Sequence, residues 1–340
     1  MTLDDALRGV EPRRRLDPVD LLARYAALIF LLILVAAFAL LHQNFLHPLN
    51  VLNVLRQVSI SGLVALGMTF VILTAGIDLS VGALVALCGL VGAYVLKGGL
   101  ESRFVAGGAE GGGHGVAAAF AAAIAVGMAA GALQGLAITR LRVPPFVVTL
   151  GGLSAFRGAA LLLSGGGPIS GFAPDFTWWG QGRIWTVPVP VIIFFAAALA
   201  CHLVLRHLRF GRHLYAVGGN AAAATLNGVA TRGIVFSVYV IVGFFCGLAA
   251  MLLNARLNSA EAVAGMGLEL DVIAAVVIGG TSLFGGVGGI GGTVVGALLI
   301  GVLRNGLVLL NVSSFIQQII IGLVLVAAVA FDQYASRRRT

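Results

Sequence analysis

Apolar residues in this chain come in long unbroken runs. Ten such stretches lie near 25–41, 54–74, 81–97, 116–138, 146–163, 187–205, 233–253, 268–281, 289–310 and 314–331. Most are rich in Leu, Ile, Val and Ala and lack the period-2 alternation of a barrel strand, so each predicts a helix. Crossing a bilayer takes roughly 20 mostly apolar residues; most stretches supply that, and the eighth is short. The longest polar intervals, 98–115, 164–186 and 206–232, are loop-sized. The pattern predicts an all-α fold, a polytopic transmembrane helix bundle of about ten spans. Residues 25–331 form its single transmembrane domain, between an N-terminal segment 1–24 and a basic tail 332–340.

Composition agrees, with 59% hydrophobic residues against 10% charged and a mean hydropathy of +1.05. A soluble globule averages about half apolar and about a quarter charged. Lys and Arg near span ends stay in the cytoplasm, and this orients the chain. With the N-terminus inside, ten spans return the C-terminus inside, so both termini are expected to be cytoplasmic. The inner segments then hold 14 of the 21 basic residues, among them Arg13, Arg140, Arg206, Arg232 and Arg338. Outer segments hold Arg56, Lys97, Arg103, Arg183 and Arg256, while Arg157 and Arg304 fall within spans. Because these arginines are spread over membrane-edge loops, the net charge of +8 calls for membrane lipid and no nucleic acid as a partner. "EPRRRLD" near the N-terminus reads as a cytoplasmic anchor for the first span, since no small-residue cleavage site follows it.

Enzymatic chemistry finds no support. There is no HExxH and no GxSxG, and the six histidines lack ligand spacing. Cys88, Cys201 and Cys246 are scattered through apolar runs, which gives neither a metal site nor a disulfide framework. Lys97, the single lysine, is followed by Gly98 rather than closing a Gly-Lys-Ser/Thr phosphate loop, so nucleotide belongs to another polypeptide. "GVGGIG" at 286–291 matches GxGxxG, but it sits among spans with no βαβ unit, and close helix packing explains its glycines better. Packing is also what Gly127, Gly131 and Gly135, and Gly288, Gly292 and Gly296, suggest by their four-residue spacing. Within the membrane the acidic residues are sparse, namely Asp78, Glu269 and Asp271 near span ends. That argues against a proton- or sodium-coupled carrier, which uses intramembrane carboxylates as relays.

Several long motifs carry a family resemblance. "ILTAGIDLSVGAL" (72–84) resembles the signature of the inner-membrane permeases of bacterial ABC importers for ribose, xylose and related sugars. "VPPFVVTLGGLSAFRGAALLLSGG" (143–166), "FGRHLYAVGGNAAAATLNGV" (210–229), "ELDVIAAVVIGGTSLFGG" (269–286) and "GALLIGVLRNGLVLLNVSSFIQQIIIG" (296–322) are similar to that family in the expected order. The chain departs from the family at Thr225, Val287, Arg304 and Ile321, and an insert near 107–115 lengthens an outer loop. The resemblance implies a permease in the bacterial inner membrane that moves a monosaccharide inward. It also implies a second permease copy or paralogue, a cytoplasmic ATP-binding subunit carrying ATP and Mg, and a periplasmic sugar-binding protein. No cofactor is expected on this chain. A permease for branched-chain amino acids or another small polar solute remains an alternative, as does an ATP-independent carrier or channel.

Three sets of residues follow as candidates. Asp78, between two apolar runs, reads as a structural cap whose carboxylate accepts from N–H groups near Ser80 and Val81 at the start of the third span. Sugar hydroxyls crossing a dry interior need sparse, weak hydrogen-bond partners. Asn53, Gln57, Thr149, Glu269, Asp271 and Gln317, polar residues at or near span ends, are the pathway candidates, each with an interhelical hydrogen bond as its alternative. The 206–232 interval reads as a coupling loop toward the ATPase, with Gly218, Gly219 and Asn220 as a turn and helix start, and Leu226, Asn227 and Gly228 closing an alanine-rich segment. Finally, "AGIDLSVG" (75–82) echoes "GGTSLFGG" (279–286), with Asp78 opposite Ser282, and both are expected on the inner side.

Overall fold

The computed structural model describes residues 18–98 and 113–337. Most of the 1–24 segment with its arginines, most of the 98–115 interval with Arg103, and Arg338 and Arg339 of the basic tail lie outside the described residues. The helices begin with α1 (Pro18–Leu41), α2 (Pro48–Leu73), α3 (Val81–Lys97), α4 (Gly115–Thr139), α5 (Pro145–Ser164) and α6 (Pro174–Gln181). They continue with α7 (Val189–His207), α8 (Arg209–Gly219), α9 (Ala221–Leu226), α10 (Thr231–Leu257), α11 (Leu268–Ile278), α12 (Ile290–Leu309) and α13 (Ser314–Arg337). Two short antiparallel pairs complete the order, β1 (Ile169–Ser170) with β4 (Ser259–Ala260) and β2 (Arg183–Ile184) with β3 (Val187–Pro188). Each predicted apolar stretch is occupied by a helix. Six, α2, α4, α5, α7, α10 and α12, are long and apolar enough to cross a membrane, and Ala26–Leu41, α3 and Ser314–Ala327 are shorter apolar helices.

Local signals set many of the boundaries. Proline occupies the first or second position of α2, α5, α6 and α7, where a missing N–H costs nothing. Gly98 and Gly165 end α3 and α5 in the left-handed conformation that glycine adopts without strain.

At the centre lies α2, whose side chains from Gly62 to Leu73 are all buried. Around it the bundle is held by close backbone approach as well as by large buried side chains such as Phe70, Phe194 and Tyr239. Added Cβ atoms on Gly127 and Gly131 would overlap the Gly243 and Tyr239 carbonyls of α10, and one on Gly243 would overlap the Gly127 carbonyl in return. The second glycine series works in the same way, with Gly292 of α12 against Gly279 and Gly296 against the Ala275 carbonyl of α11. Lipid tails are as apolar as leucine, so helices in a bilayer associate through such close packing and through interhelical hydrogen bonds. Two of those bonds are buried: Thr69 to Thr293 at 2.7 Å and Asn254 Nδ2 to the Gly89 carbonyl at 2.8 Å. By contrast α5 is loosely held, burying only Thr149, Gly152, Ala160 and Ser164.

Two helices start inside the bundle. The Cys246 thiol faces the Val81 carbonyl at 3.8 Å, and Cys246 lies about 22 Å along α10 from its start at 1.5 Å per residue. Thus α3 begins near the middle of α10, and its Gly89 reaches Asn254 near that helix's end. On the other strand of this junction, the non-helical run 261–267 brings Gly265 against Gly82 backbone to backbone before α11 begins. The eighth predicted stretch is therefore a half-helix of 11 residues entered through irregular chain, rather than a short full span.

If these backbone contacts hold the bundle, Gly131→Val should lower its stability by about 1–3 kcal/mol. Gly151→Val on α5, where a Cβ meets nothing within 4 Å, should change it by less than about 0.5 kcal/mol. Thermal unfolding of the two variants in mild detergent measures the difference.

Candidate functional site

Both half-helices connect to one end of the bundle, where α8 and α9 lie. The peptide N–H of Gly286 donates to the Leu73 carbonyl at 3.0 Å, so the turns after α2 and after α11 touch. Gly218, near the end of α8, sits on this joint, since a Cβ there would overlap the Leu73 carbonyl and stand 2.5 Å from the Gly286 nitrogen. Tyr215 of α8 donates its hydroxyl to the Gly288 carbonyl at 2.8 Å. One surface helix thus bears on the chain leading into α3 and on the chain leaving α11.

Beyond the joint the two echoed segments part. Asp78 Oδ1 accepts from the Ser80 peptide N–H at 2.8 Å and from the Ser80 hydroxyl at 2.6 Å, and Ser282 Oγ accepts from the Phe284 N–H at 3.3 Å. The same residue offset makes the same local turn in both. Depth differs, because Ile77 lies beside Tyr239, whose hydroxyl donates to its carbonyl at 3.2 Å, and Asp78 and Ser80 are wholly buried. Gln134 Nε2 closes this group with a 2.7 Å bond to Ser80 Oγ. The two echoed segments meet at Ala75 and Gly285, and from Ala75 the chain runs back into the bundle before α3 starts. Asp78 stands two residues before Ser80, the residue capping α3, and its bonds stop at Ser80 without reaching Val81.

The six pathway candidates do not converge. Asn53 and Gln57 are exposed on α2, where Asn53 Oδ1 accepts from Arg56 at 3.3 Å. Thr149 is fully buried and spends its hydroxyl on the Pro145 carbonyl of its own helix. Gln317 bonds the Val312 carbonyl at 2.8 Å, at the start of α13. Only Glu269 and Asp271 stand together, on the first turn of α11 beside the Gly82–Gly265 contact. Asp271 pairs with Arg304 of α12 at 2.7 Å. Glu269 Oε2 is buried with no hydrogen-bond partner. Arg157 of α5 reaches the same region, donating to the Ala262 carbonyl and, at 3.0 Å, to that of Ala264. Arg157 and Arg304 were absent from the pathway candidates, although an ionisable residue within a span is by itself a functional signal.

In the predicted coupling loop, Asn220 accepts from the Ala223 N–H at 2.9 Å and so caps α9. Gly219, Asn220, Leu226, Asn227 and Gly228 are exposed, Leu226 at 89%. Gly219 has open space where its Cβ would be, unlike Gly218. Gly228 ends the segment at φ +80°. Among the described residues no three His, Cys, Asp or Glu side chains gather as a metal site would require.

Helices that start within a bilayer-sized bundle, around a small set of paired charges, define a membrane transport protein. Residues 50–329 match the family model described as the permease component of the branched-chain amino acid transport system, and the chain belongs to that family. It is 44% identical to the ribose import permease protein RbsC of Bacillus subtilis (strain 168) over 90% of this chain and 91% of that one. It is 37% identical to the D-allose transport system permease of Escherichia coli (strain K12), over 92% of this chain and 93% of that one. It is 33% identical to the L-arabinose ABC transporter permease of Azospirillum brasilense, over 94% and 90%. No solved structure matches.

The Arg304–Asp271 pair gives a direct test of the charged region. Arg304→Met strands a buried carboxylate and should cost about 1–3 kcal/mol, less than a fully buried pair because the Arg304 side chain is 34% exposed. Adding Asp271→Leu should recover most of that loss in thermal unfolding, since no charge is then left unpaired.

Proposed function

We propose that this chain is the membrane-spanning permease subunit of a bacterial ABC importer that carries a monosaccharide, ribose or a related sugar, into the cytoplasm. The similarity to ribose, allose and arabinose permeases over nine-tenths of the chain carries this reading. It favours a sugar over a branched-chain amino acid, although the family model is described by the latter. The protein is a multi-pass membrane protein, and the inner membrane is the setting this function requires. ATP and Mg belong to a separate cytoplasmic ATP-binding subunit, and sugar is delivered by a periplasmic binding protein. A second copy or a paralogue completes the pathway.

In this reading the α8–α9 end faces the cytoplasm and meets the ATPase. The exposed residues Gly219, Asn220, Leu226, Asn227 and Gly228 supply the contact, and Gly218 fixes α8 to the turns behind it. ATP-driven closure of the ATPases would press on this surface and, through the Gly218–Leu73–Gly286 joint, on the chain entering α3 and leaving α11. Glu269 and Asp271 are the pathway residues kept, because they stand where the two half-helices meet. Asn53, Gln57 and Gln317 stay as secondary candidates at helix ends, while Thr149 supports α5 from within.

Purification in mild detergent should bring the ATP-binding subunit along with the protein, whereas a lone protein that exchanges solute in vesicles would turn the reading toward a carrier or channel. Gly219→Trp should abolish ATP-driven ribose uptake and weaken ATPase copurification at normal membrane insertion, since a Cβ at Gly219 meets nothing of this chain within 4 Å and the side chain starts outward from an exposed position. Normal uptake with a fully retained ATPase would remove α9 from the contact.

Asp78 is read as a structural cap. Asp78→Asn should keep most uptake, because Asn still offers an acceptor to Ser80, while Asp78→Leu should lose it. Equal loss in both, at equal insertion, would show that the charge itself is needed.

A further inference from the structure

A charged side chain past the middle of a transmembrane helix needs a reason. Arg157 is such a residue, on α5, the least buried of the six helices long enough to cross a membrane, which buries only Thr149, Gly152, Ala160 and Ser164. Its guanidinium leaves α5 altogether and takes the carbonyls of Ala262 and Ala264. Those carbonyls belong to the irregular run 261–267, whose Gly265 lies on Gly82 at the start of α3. Arg157 therefore ties this sparsely buried helix to the point where the two half-helices meet.

The same region holds an acceptor that nothing fills. Glu269 Oε2 is buried beside Gly82 with no hydrogen-bond partner, and its charge acts on Arg157. Asp271, the neighbouring carboxylate on α11, is already held by Arg304 at 2.7 Å. Glu261, near the carbonyls that Arg157 holds, is exposed and turned to Ser259 at 3.5 Å. By elimination, Glu269 is the carboxylate left for Arg157.

We propose that Arg157 is a positioning residue of the transport cycle. It holds the Ala262 and Ala264 carbonyls in the conformation described here and moves to the Glu269 carboxylate in the other. A shift of α5 is passed in this way to the first turn of α11. The two arrangements exchange two neutral acceptors for one charged acceptor, so neither need trap the guanidinium. This inference rests on the importer reading, and it adds a moving part that the reading does not require.

The test uses the whole complex of permease, ATPase and binding protein in proteoliposomes, with ribose as the probe. Ribose uptake and ATP hydrolysis are measured together for wild type, Arg157→Gln, Arg157→Lys, Glu269→Gln and the Arg157→Gln/Glu269→Gln double variant. Arg157→Gln should lower the ribose moved per ATP by about tenfold, with hydrolysis, ATPase copurification and thermal midpoint near wild type, and Glu269→Gln should lower that ratio as well. Arg157→Lys should recover part of the loss, and the double variant should be no worse than Arg157→Gln alone, because both changes remove one pairing. A purely structural role would lower uptake, hydrolysis and thermal midpoint in proportion, and that result overturns the proposal. So does a wild-type ratio in Glu269→Gln, which decides the matter if Arg157→Gln does not fold. ATP hydrolysis without ribose uptake by the wild-type complex would count against ribose alone, and the ratios are then read with allose or arabinose. A wild-type protein that binds no ATPase overturns both readings.

Discussion

Irregular backbone inside a membrane protein has to find all its hydrogen-bond partners without water. Two segments here, 74–80 and 261–267, join helices without being helical, the first buried at Asp78 and Ser80 and the second exposed at Glu261, Val263 and Met266, and neighbouring side chains bond to both. Asp78 serves the Ser80 peptide, Tyr239 serves the Ile77 carbonyl, and Arg157 serves the carbonyls of Ala262 and Ala264.

Glycine is the complement of that arrangement. Gly82 and Gly265 bring the two segments into backbone contact, and Gly127, Gly131 and Gly243 bring α4 and α10 equally close. The outcome is uneven rigidity. The α4–α10 pair and the buried length of α2 leave no room for adjustment, whereas α5 buries few residues and is tied to the rest by Arg157 and by the Tyr94 hydroxyl, which donates to the Leu163 carbonyl. A transporter needs both qualities, a frame that keeps its shape and an element that can move against it.

The α8–α9 end adds a joint between the two half-helices. Gly218 is closed in by Leu73 and Gly286, while Gly219 next to it faces open space. Adjacent glycines thus have opposite duties, one locking the surface helix to the turns behind it and the other leaving a smooth face outward. That face and the turns after α2 and α11 are joined through Gly218, without crossing the bundle.

The sequence by itself determined the place of the apolar stretches that form helices, the short helix behind Asn220 and the packing role of the spaced glycines. These are local properties: composition over about 20 residues, a capping side chain and a four-residue spacing each act within one helix. It also held the Asp78 and Ser282 echo, which the structure keeps as a local turn. What it left undecided is depth. Nothing local tells that α3 and α11 begin within the bundle, since a half-helix and a short span have the same composition. Nothing local says that Thr149 turns its hydroxyl to its own helix, or that Glu269 stands apart from Asn53, Gln57 and Gln317. Arg157 and Arg304 were visible as charges within spans, yet their partners lie 105 and 33 residues away in sequence, and only the packing of α5, α11 and α12 brings them together.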